Sequence, residues 1–148
     1  YLPSMYKDSF LKVKNEGINI TIHAGEGDGV HSIQEALDNG AKRIGHGVRI
    51  IEDISDDNEL GPTADYILQN NIPLEVCITS NLHTNMYKNP QDHPISRLHN
   101  LGFNISLNTD NRLMSNTSID NELNVAKAAG IENPTSLLKY SASDSFLN

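Results

Sequence analysis

Apolar residues in this chain follow two different periods, and their alternation predicts strands separated by helices. Residues 18–22 carry isoleucine at every second position, which is the period of a strand, and residues 103–107 alternate in the same way. A short segment at residues 42–47, which ends on a histidine between glycines, and a run at 73–78 that is apolar apart from Glu75 predict two further strands. We therefore expect four strands, which end at His23, His46, Ile78 and Thr109.

Helical spacing and end signals predict helices between these strands and at both ends of the chain. Ser32 and Glu35 form a capping-box pattern, so one helix is expected to begin at Ser32. The polar residues 79–81 predict a turn, and residues 82–92 predict a long loop. The predicted helices cover residues 4–14, 32–39, 62–69, 94–101 and 118–129, and a last one runs from Pro134 towards Phe146.

This order of elements favours an α/β fold with a parallel sheet, because parallel strands need a long crossover that is usually a helix. A complete (β/α)8 TIM barrel takes about 250 residues. Four strand-helix units in 148 residues therefore predict half of such a barrel, and we treat residues 1–148 as one partial domain. The chain begins with Tyr1 and not with methionine, so we expect further sequence upstream.

Composition narrows the range of partners. The formal net charge of −8 would repel nucleic acids and anionic membranes, so we expect neither as a partner. No apolar run approaches the roughly 20 residues that cross a bilayer. The single cysteine, Cys77, lies in an apolar run, so we expect a buried thiol in a reducing compartment such as the cytoplasm. A small, neutral or weakly charged ligand fits this composition best.

Residues that can carry chemistry follow the predicted strands. Barrel enzymes place their active sites at the carboxyl ends of the strands, where such side chains converge. Imidazole and carboxylate groups both bind zinc, so His23 and Asp110 could supply two ligands and leave His46 and Glu26 for proton transfer. A structural interpretation also exists for each, because a lone histidine is more often a hydrogen-bonded structural residue, and Asp110 with Asn111 could cap a helix. Spacing alone leaves several classes of metal hydrolase open.

Four motifs at the predicted strand ends occur in a distinctive order. They are His-Ala-Gly-Glu at 23–26, Gly-His-Gly at 45–47 with Ile-Glu-Asp at 51–53, Leu-Glu-Val-Cys-Ile-Thr-Ser-Asn at 74–81, and Ser-Leu-Asn-Thr-Asp-Asn at 106–111. Together they resemble the adenosine deaminase family, from about residue 18 to residue 115. Residues 111–115 resemble a bacterial branch of it. None of the motifs is specific alone, but their common order is.

The resemblance implies the C-terminal half of a barrel hydrolase that holds one zinc ion and converts adenosine or 2'-deoxyadenosine to inosine or its deoxy form and ammonia. By position, His23 and Asp110 match zinc ligands, and Glu26 matches the acid that protonates the purine ring nitrogen. His46 matches the histidine that orients or deprotonates the attacking water, which Asp110 also contacts. Asn111 matches a position that hydrogen-bonds the purine. A small purine nucleoside is the implied ligand.

The implied chemistry suits these residue types. Bound zinc lowers the pKa of water from about 16 to near 7. Protonation of the purine ring by Glu26 needs a carboxylic acid that desolvation keeps protonated, and the apolar strand before Glu26 suits that requirement. The glycines on both sides of His46 are expected to let the backbone come close to the metal.

Two features depart from the family pattern. Asn111 stands where many members have aspartate, and a neutral amide can still donate to a purine nitrogen. The other two zinc ligands of the family form a His-x-His pair, which this sequence lacks. We therefore expect the chain alone to bind zinc poorly and to show little activity. The remaining histidines are expected at the surface, namely His31, His83, His93 and His99.

Two alternatives stay open. One is a deaminase of adenine or of another purine, because the sugar-contacting residues of the family are not found in this sequence. The other is a non-catalytic half-barrel that binds nucleosides or pairs with a partner, since exposed strand edges favour association. The presence of both Glu26 and His46 argues for catalysis, because a binding module needs neither an acid nor a base.

Overall fold

The four predicted strands form one parallel sheet in a computed structural model that describes residues 2–138 and Phe146. The strands follow one another across the sheet in chain order, so each is paired with its neighbour in sequence. The prediction of a parallel α/β fold is therefore confirmed. Their bounds are β1 Ile20–Ala24, β2 Ala41–His46, β3 Leu74–Val76 and β4 Ile105–Leu107.

Within the described residues, six helices connect and flank these strands. Pro62 opens α3, as the sequence predicts, because proline has no N–H to lose at a helix start. The helix predicted from Ser118 begins at Ile119, and Ser118 is its cap, since the serine hydroxyl accepts the N–H of Asn121. Residues 139–145 of the last predicted helix lie outside the described part. The helices are α1 Lys7–Asn15, α2 Val30–Asp38, α3 Pro62–Gln69, α4 Ile78–His83, α5 Ile95–Asn100 and α6 Ile119–Ala128, with 3-10 turns at Pro3–Tyr6, Val48–Asp53, Pro90–Asp92 and Pro134–Leu138.

The predicted start of α2 at Ser32 is wrong. The helix begins at Val30 with Gly29 as its cap, and Ser32 lies inside the first turn. Its hydroxyl donates to the carbonyl of Gly29 at 2.8 Å and accepts the N–H of Gly25 at 2.9 Å. Glu35 does not complete a capping box, since its carboxylate accepts the N–H of Ser4 instead. Ser32 thus ties α2 to the turn that follows β1.

The expected polar turn at residues 79–81 is a helix. These residues lie in α4. The sequence predicted a turn because Thr79, Ser80 and Asn81 are polar, yet all three are buried. Glu122 of α6 is fully buried and holds the start of this helix, accepting the N–H of Thr79 at 3.2 Å and the hydroxyl of Thr117 at 2.9 Å. Removal of this carboxylate would leave buried donors without an acceptor, which costs free energy of folding. Glu122 therefore anchors the start of α4.

The sheet has two different faces. Apolar side chains on one face pack against the helices and form the core, which includes Ile22, Ile44, Leu74 and Ile105. The opposite face carries a row in register across the four strands: His23, Gly45, Glu75 and Ser106. Among residues 2–138 and Phe146, no helix is long and apolar enough to cross a bilayer.

Candidate active site

Polar side chains gather at the carboxyl ends of the parallel strands, and we call this end of the sheet the polar edge. His46 lies at its centre. It is the last residue of β2, adopts a left-handed φ of 64° and is 2% exposed. Its Nε2 lies 3.5 Å from Oε2 of Glu26 and 3.9 Å from Oδ2 of Asp110. Potential ligand atoms of these three residues all lie within 4.8 Å of one another. The structure thus brings together three of the residues that the motifs single out.

Burial sets the charge of His46. It lowers the pKa of this imidazole below its ordinary value, and the positive charge that His23 can carry acts in the same direction. The carboxylates of Glu26 and Asp110 act in the opposite direction but do not outweigh burial. At neutral pH His46 is therefore a neutral imidazole, with one nitrogen that donates and one that accepts.

The turn after β1 brings Glu26 to this edge. Gly25 has a φ of 66°, and a Cβ there would lie 2.4 Å from Cδ1 of Ile33, so only glycine fits between the strand and α2. The same turn is bonded to the next one, because the N–H of Gly47 donates to Ala24 at 2.9 Å. These contacts fix Glu26 relative to His46.

Asp110 follows β4 and is held by a residue of α4. Its φ is 50°, and its Oδ2 accepts the hydroxyl of Ser80 at 2.6 Å. That hydrogen bond is the main cause that lowers the pKa of Asp110, partly offset by desolvation. The carboxylate is therefore ionised at neutral pH and able to bind a cation.

His23 projects from the open face of β1 towards the same site. Its ring contacts that of His46 edge to face, with 5.1 Å between centroids. A Cβ at Gly45 would lie 2.5 Å from Cδ2 of His23. Gly45 is therefore required to make room for this ring, which is a different reason from the expected approach of backbone to a metal. His23, His46 and Asp110 line one cavity of about 160 Å³.

Asn111 lies beside the site with part of its side chain already engaged. Its Oδ1 accepts the N–H groups of Leu113 and Met114 at 3.1 and 3.0 Å, so it caps the turn that it begins. The side-chain N–H2 group is the part that remains for a ligand. The structural interpretation as a cap therefore holds for Asn111, while Asp110 faces the cavity.

Sequence reasoning missed two buried residues behind His46. His93 was expected at the surface, but it is 3% exposed and its ring packs against Tyr87, which corrects that prediction. His31, His83 and His99 are exposed, as expected. Asn81 is fully buried and lies between Glu26, His46 and His93. Both residues are polar and follow polar neighbours, so no apolar pattern marks their burial.

A second cavity of about 420 Å³ opens next to Glu26. Arg49 lines it, donating to Oε1 of Glu52 at 2.6 Å and to the carbonyl of Gly27 at 3.1 Å. Tyr87 lines the other side, and burial raises the pKa of its hydroxyl to about 12. The polar edge therefore offers a small cavity at the histidines and a larger one beside Glu26.

Comparison with known proteins gives the same identification along most of the chain. A family model described as adenosine deaminase matches residues 2–142. Adenosine deaminase 1 of Streptomyces coelicolor is 46% identical over 127 residues, which are 82% of this chain and 32% of that protein. The chain thus spans about a third of the length of this curated relative.

Solved structures show the same fold. Arabidopsis ADAL in complex with IMP aligns with a TM-score of 0.78 and 25% identity, over 97% of this chain and 41% of that one. An adenine deaminase from Arthrobacter aurescens aligns with a TM-score of 0.66 over 93% of this chain and 46% of that one, and at 23% identity this likeness concerns the fold alone. The four parallel units are therefore those of a TIM barrel, as predicted, and the chain belongs to the adenosine deaminase family.

Proposed function

We propose that this chain carries one side of the active site of a zinc-dependent deaminase that converts adenosine and water to inosine and ammonia, and 2'-deoxyadenosine likewise. The observation that carries the proposal is the buried His46 between the carboxylates of Glu26 and Asp110, at the carboxyl ends of parallel strands. That is where barrel enzymes hold their substrates. Membership of the adenosine deaminase family supports the same reaction.

The donor groups at this edge fit a zinc ion in type. We assign His23 and Asp110 as two of its ligands, since both line the cavity beside His46 and Asp110 is ionised. Catalytic zinc takes at least three protein ligands, so two are not enough, and this sequence has no His-x-His pair to supply the others. When bound, the metal lowers the pKa of the attacking water and makes it nucleophilic at neutral pH.

The other residues then have distinct roles. Glu26 delivers the proton to the purine ring nitrogen, and its carboxylate is held for this by the N–H of Asn81 at 3.2 Å. His46 hydrogen-bonds the water, which Asp110 also contacts. The free amide N–H2 of Asn111 donates to the purine. The cavity beside Glu26 has room for the part of the substrate that does not react.

Substrate panels test the reaction class. Because this chain alone is expected to bind zinc poorly, the assay uses the protein in which this chain stands together with the remaining zinc ligands. With added zinc, we expect that protein to release ammonia from adenosine and 2'-deoxyadenosine faster than from adenine. AMP is included because Arabidopsis ADAL was solved with IMP. If adenine or AMP is turned over faster, that compound and not the nucleoside is the substrate. No turnover of any of them at stoichiometric zinc would support the non-catalytic half-barrel instead.

Matched substitutions test the residues. Glu26→Gln is expected to lower kcat by at least about 100-fold, the range typical of a lost acid. Asp110→Asn is expected to lower kcat because the metal is lost with its ligand. Glu132→Gln and Asp57→Asn make the same chemical changes at exposed positions and should leave kcat unchanged. Zinc content measured on the same samples separates the two roles, because Asp110→Asn should lose zinc and Glu26→Gln should keep it. Equal zinc loss in both variants would contradict the assignment.

A further inference from the structure

A continuous series of hydrogen bonds runs through the interior from α5 to His46. The backbone N–H of Ile95 donates to Nδ1 of His93 at 3.2 Å. Nε2 of His93 lies 3.2 Å from Oδ1 of Asn81. Nδ2 of Asn81 lies 3.3 Å from Nδ1 of His46 and 3.2 Å from Oε1 of Glu26. Asn81 therefore joins the buried His93 to two residues of the proposed active site.

The direction of each hydrogen bond follows from the first. A backbone N–H can only donate, so Nδ1 of His93 is an acceptor and the proton of this neutral ring is on Nε2. Burial lowers the pKa of His93 to about 4, which keeps the ring neutral near pH 7. Nε2 then donates to the amide oxygen of Asn81. That leaves the two N–H bonds of the amide for Nδ1 of His46 and Oε1 of Glu26, with the thioether sulfur of Met86, a weak acceptor, at 3.5 Å.

We propose that Asn81 and His93 are positioning residues that hold His46 in the tautomer with its proton on Nε2. Nδ1 of His46 accepts from Asn81, so its lone pair is turned away from the cavity. The Nε2–H faces the carboxylates of Glu26 and Asp110. In this tautomer His46 offers a hydrogen-bond donor to the site and no lone pair that could remove a proton there.

The consequence for the reaction rests on the proposed function, whereas the tautomer does not. The family resemblance leaves two roles for His46, to orient the attacking water or to deprotonate it. A fixed donor at Nε2 can orient the water but cannot deprotonate it. The same amide also holds Glu26, so one side chain positions both the donor and the acid. A purely structural role for Asn81 and His93 would require their burial but would not require this particular proton position.

Nitrogen NMR of the purified protein labelled with 15N-histidine tests the inference. Long-range proton-nitrogen spectra distinguish a protonated ring nitrogen from an unprotonated one, and a His46→Gln spectrum assigns the His46 signals. At pH 7 we expect His46 and His93 each to show a protonated Nε2 and an unprotonated Nδ1. The reverse tautomer for His46 in the native protein would overturn the inference.

Substitutions then separate positioning from packing. Asn81→Asp still accepts from His93 but offers no donor to His46, so the proton of His46 should move to Nδ1. His93→Phe should give a mixture of His46 tautomers, because the amide of Asn81 is no longer oriented, and His93→Gln should restore one tautomer by supplying an N–H donor. His99→Phe is the matched control at an exposed position and should change nothing. An unchanged tautomer of His46 in folded Asn81→Asp or His93→Phe would overturn the inference.

The result of the NMR measurement can be distinguished from the result of the deaminase assay. The expected tautomer in a protein without turnover would retain the inference and remove the proposed function. Turnover of adenosine with the reverse tautomer would do the opposite. The NMR measurement needs no zinc, so its result does not depend on how well the metal binds.

Discussion

The hydroxyl of Ser80 donates to Oδ2 of Asp110 at 2.6 Å, so the helix after β3 holds the carboxylate that follows β4. The two residues are brought together because α4 starts directly after β3 and is anchored by the buried Glu122. The position of the proposed metal ligand therefore depends on a helix that the sequence does not predict. Hydrogen bonds to ligands from the surrounding protein orient them and tune their basicity.

Removing this hydrogen bond is expected to weaken the proposed metal site without unfolding the protein. Ser80→Ala should lower zinc affinity or kcat by about 10 to 100-fold, as is typical when a partner of a metal ligand is lost. Equilibrium dialysis with zinc and the adenosine assay measure the two effects. Ser136→Ala is the control, because its hydroxyl donates to the carbonyl of Asn133 within an exposed turn. Full zinc binding by Ser80→Ala would show that Asp110 needs no such support.

Stability should fall in acid partly because His93 is buried. The pKa of His93 is about 4 in the folded chain because of desolvation, against about 6.5 in an unfolded one. The unfolded state therefore binds the extra proton, so the contribution is complete above pH 6.5 and is lost as the pH falls towards 4. The shift corresponds to about 3 kcal/mol. Urea unfolding at a series of pH values should show a shallower fall between pH 6.5 and 4 in His93→Phe than in the native protein, and parallel curves would contradict this.

Two neighbouring glycines should respond very differently to alanine. Gly25→Ala introduces a left-handed residue and a Cβ that meets Ile33, with an expected cost of about 1 to 2 kcal/mol for the backbone and about 1 to 3 kcal/mol for the overlap. Gly27→Ala is the matched control, because a Cβ there meets nothing within 4 Å. Urea unfolding measures both variants. Similar stabilities for the two would show that the turn after β1 is not constrained.

Cys77 should resist alkylation in the folded protein. Desolvation is the main cause that raises the pKa of its thiol to about 12, and the charge of Asp110 adds to it. Since only the thiolate reacts, about one thiol in ten thousand is reactive at pH 8. Mass spectrometry after iodoacetamide treatment should find no adduct on the folded protein and one adduct after unfolding in urea. Because the chain has a single cysteine, rapid labelling of the native protein would contradict the result directly.

The strands and most helices could be predicted because each follows from local pattern. Alternating isoleucines, proline at the start of α3 and serine before α6 all act within a few residues. The prediction failed where a distant contact overrides the local pattern. Residues 79–81 are polar, yet they form α4 because the buried Glu122, some forty residues later, accepts from the start of that helix.

The candidate site shows the same division between residues that a local pattern marks and residues that only distant contacts explain. Glu26, His46 and Asp110 lie together, as expected of polar residues that follow the ends of parallel strands, and their roles stay a prediction. The burial of Asn81 and His93 was not predicted, because a buried polar residue has no periodicity of its own and is stable only through partners elsewhere in the chain. His93 lies in a polar segment that resembles an exposed loop, and its burial follows from contacts with Tyr87 and Asn81.

The strand order of the sheet also sets the order in which this edge can assemble. Each strand pairs with the one synthesised just before it, so no pairing has to wait for a remote part of the described chain. His46 can meet Glu26 once β2 joins β1, Asn81 joins with the third unit, and Asp110 arrives only with β4. The carboxylate of Asp110 is therefore the last of these groups to be synthesised, and it joins an edge where Glu26, His46 and Asn81 can already be in contact.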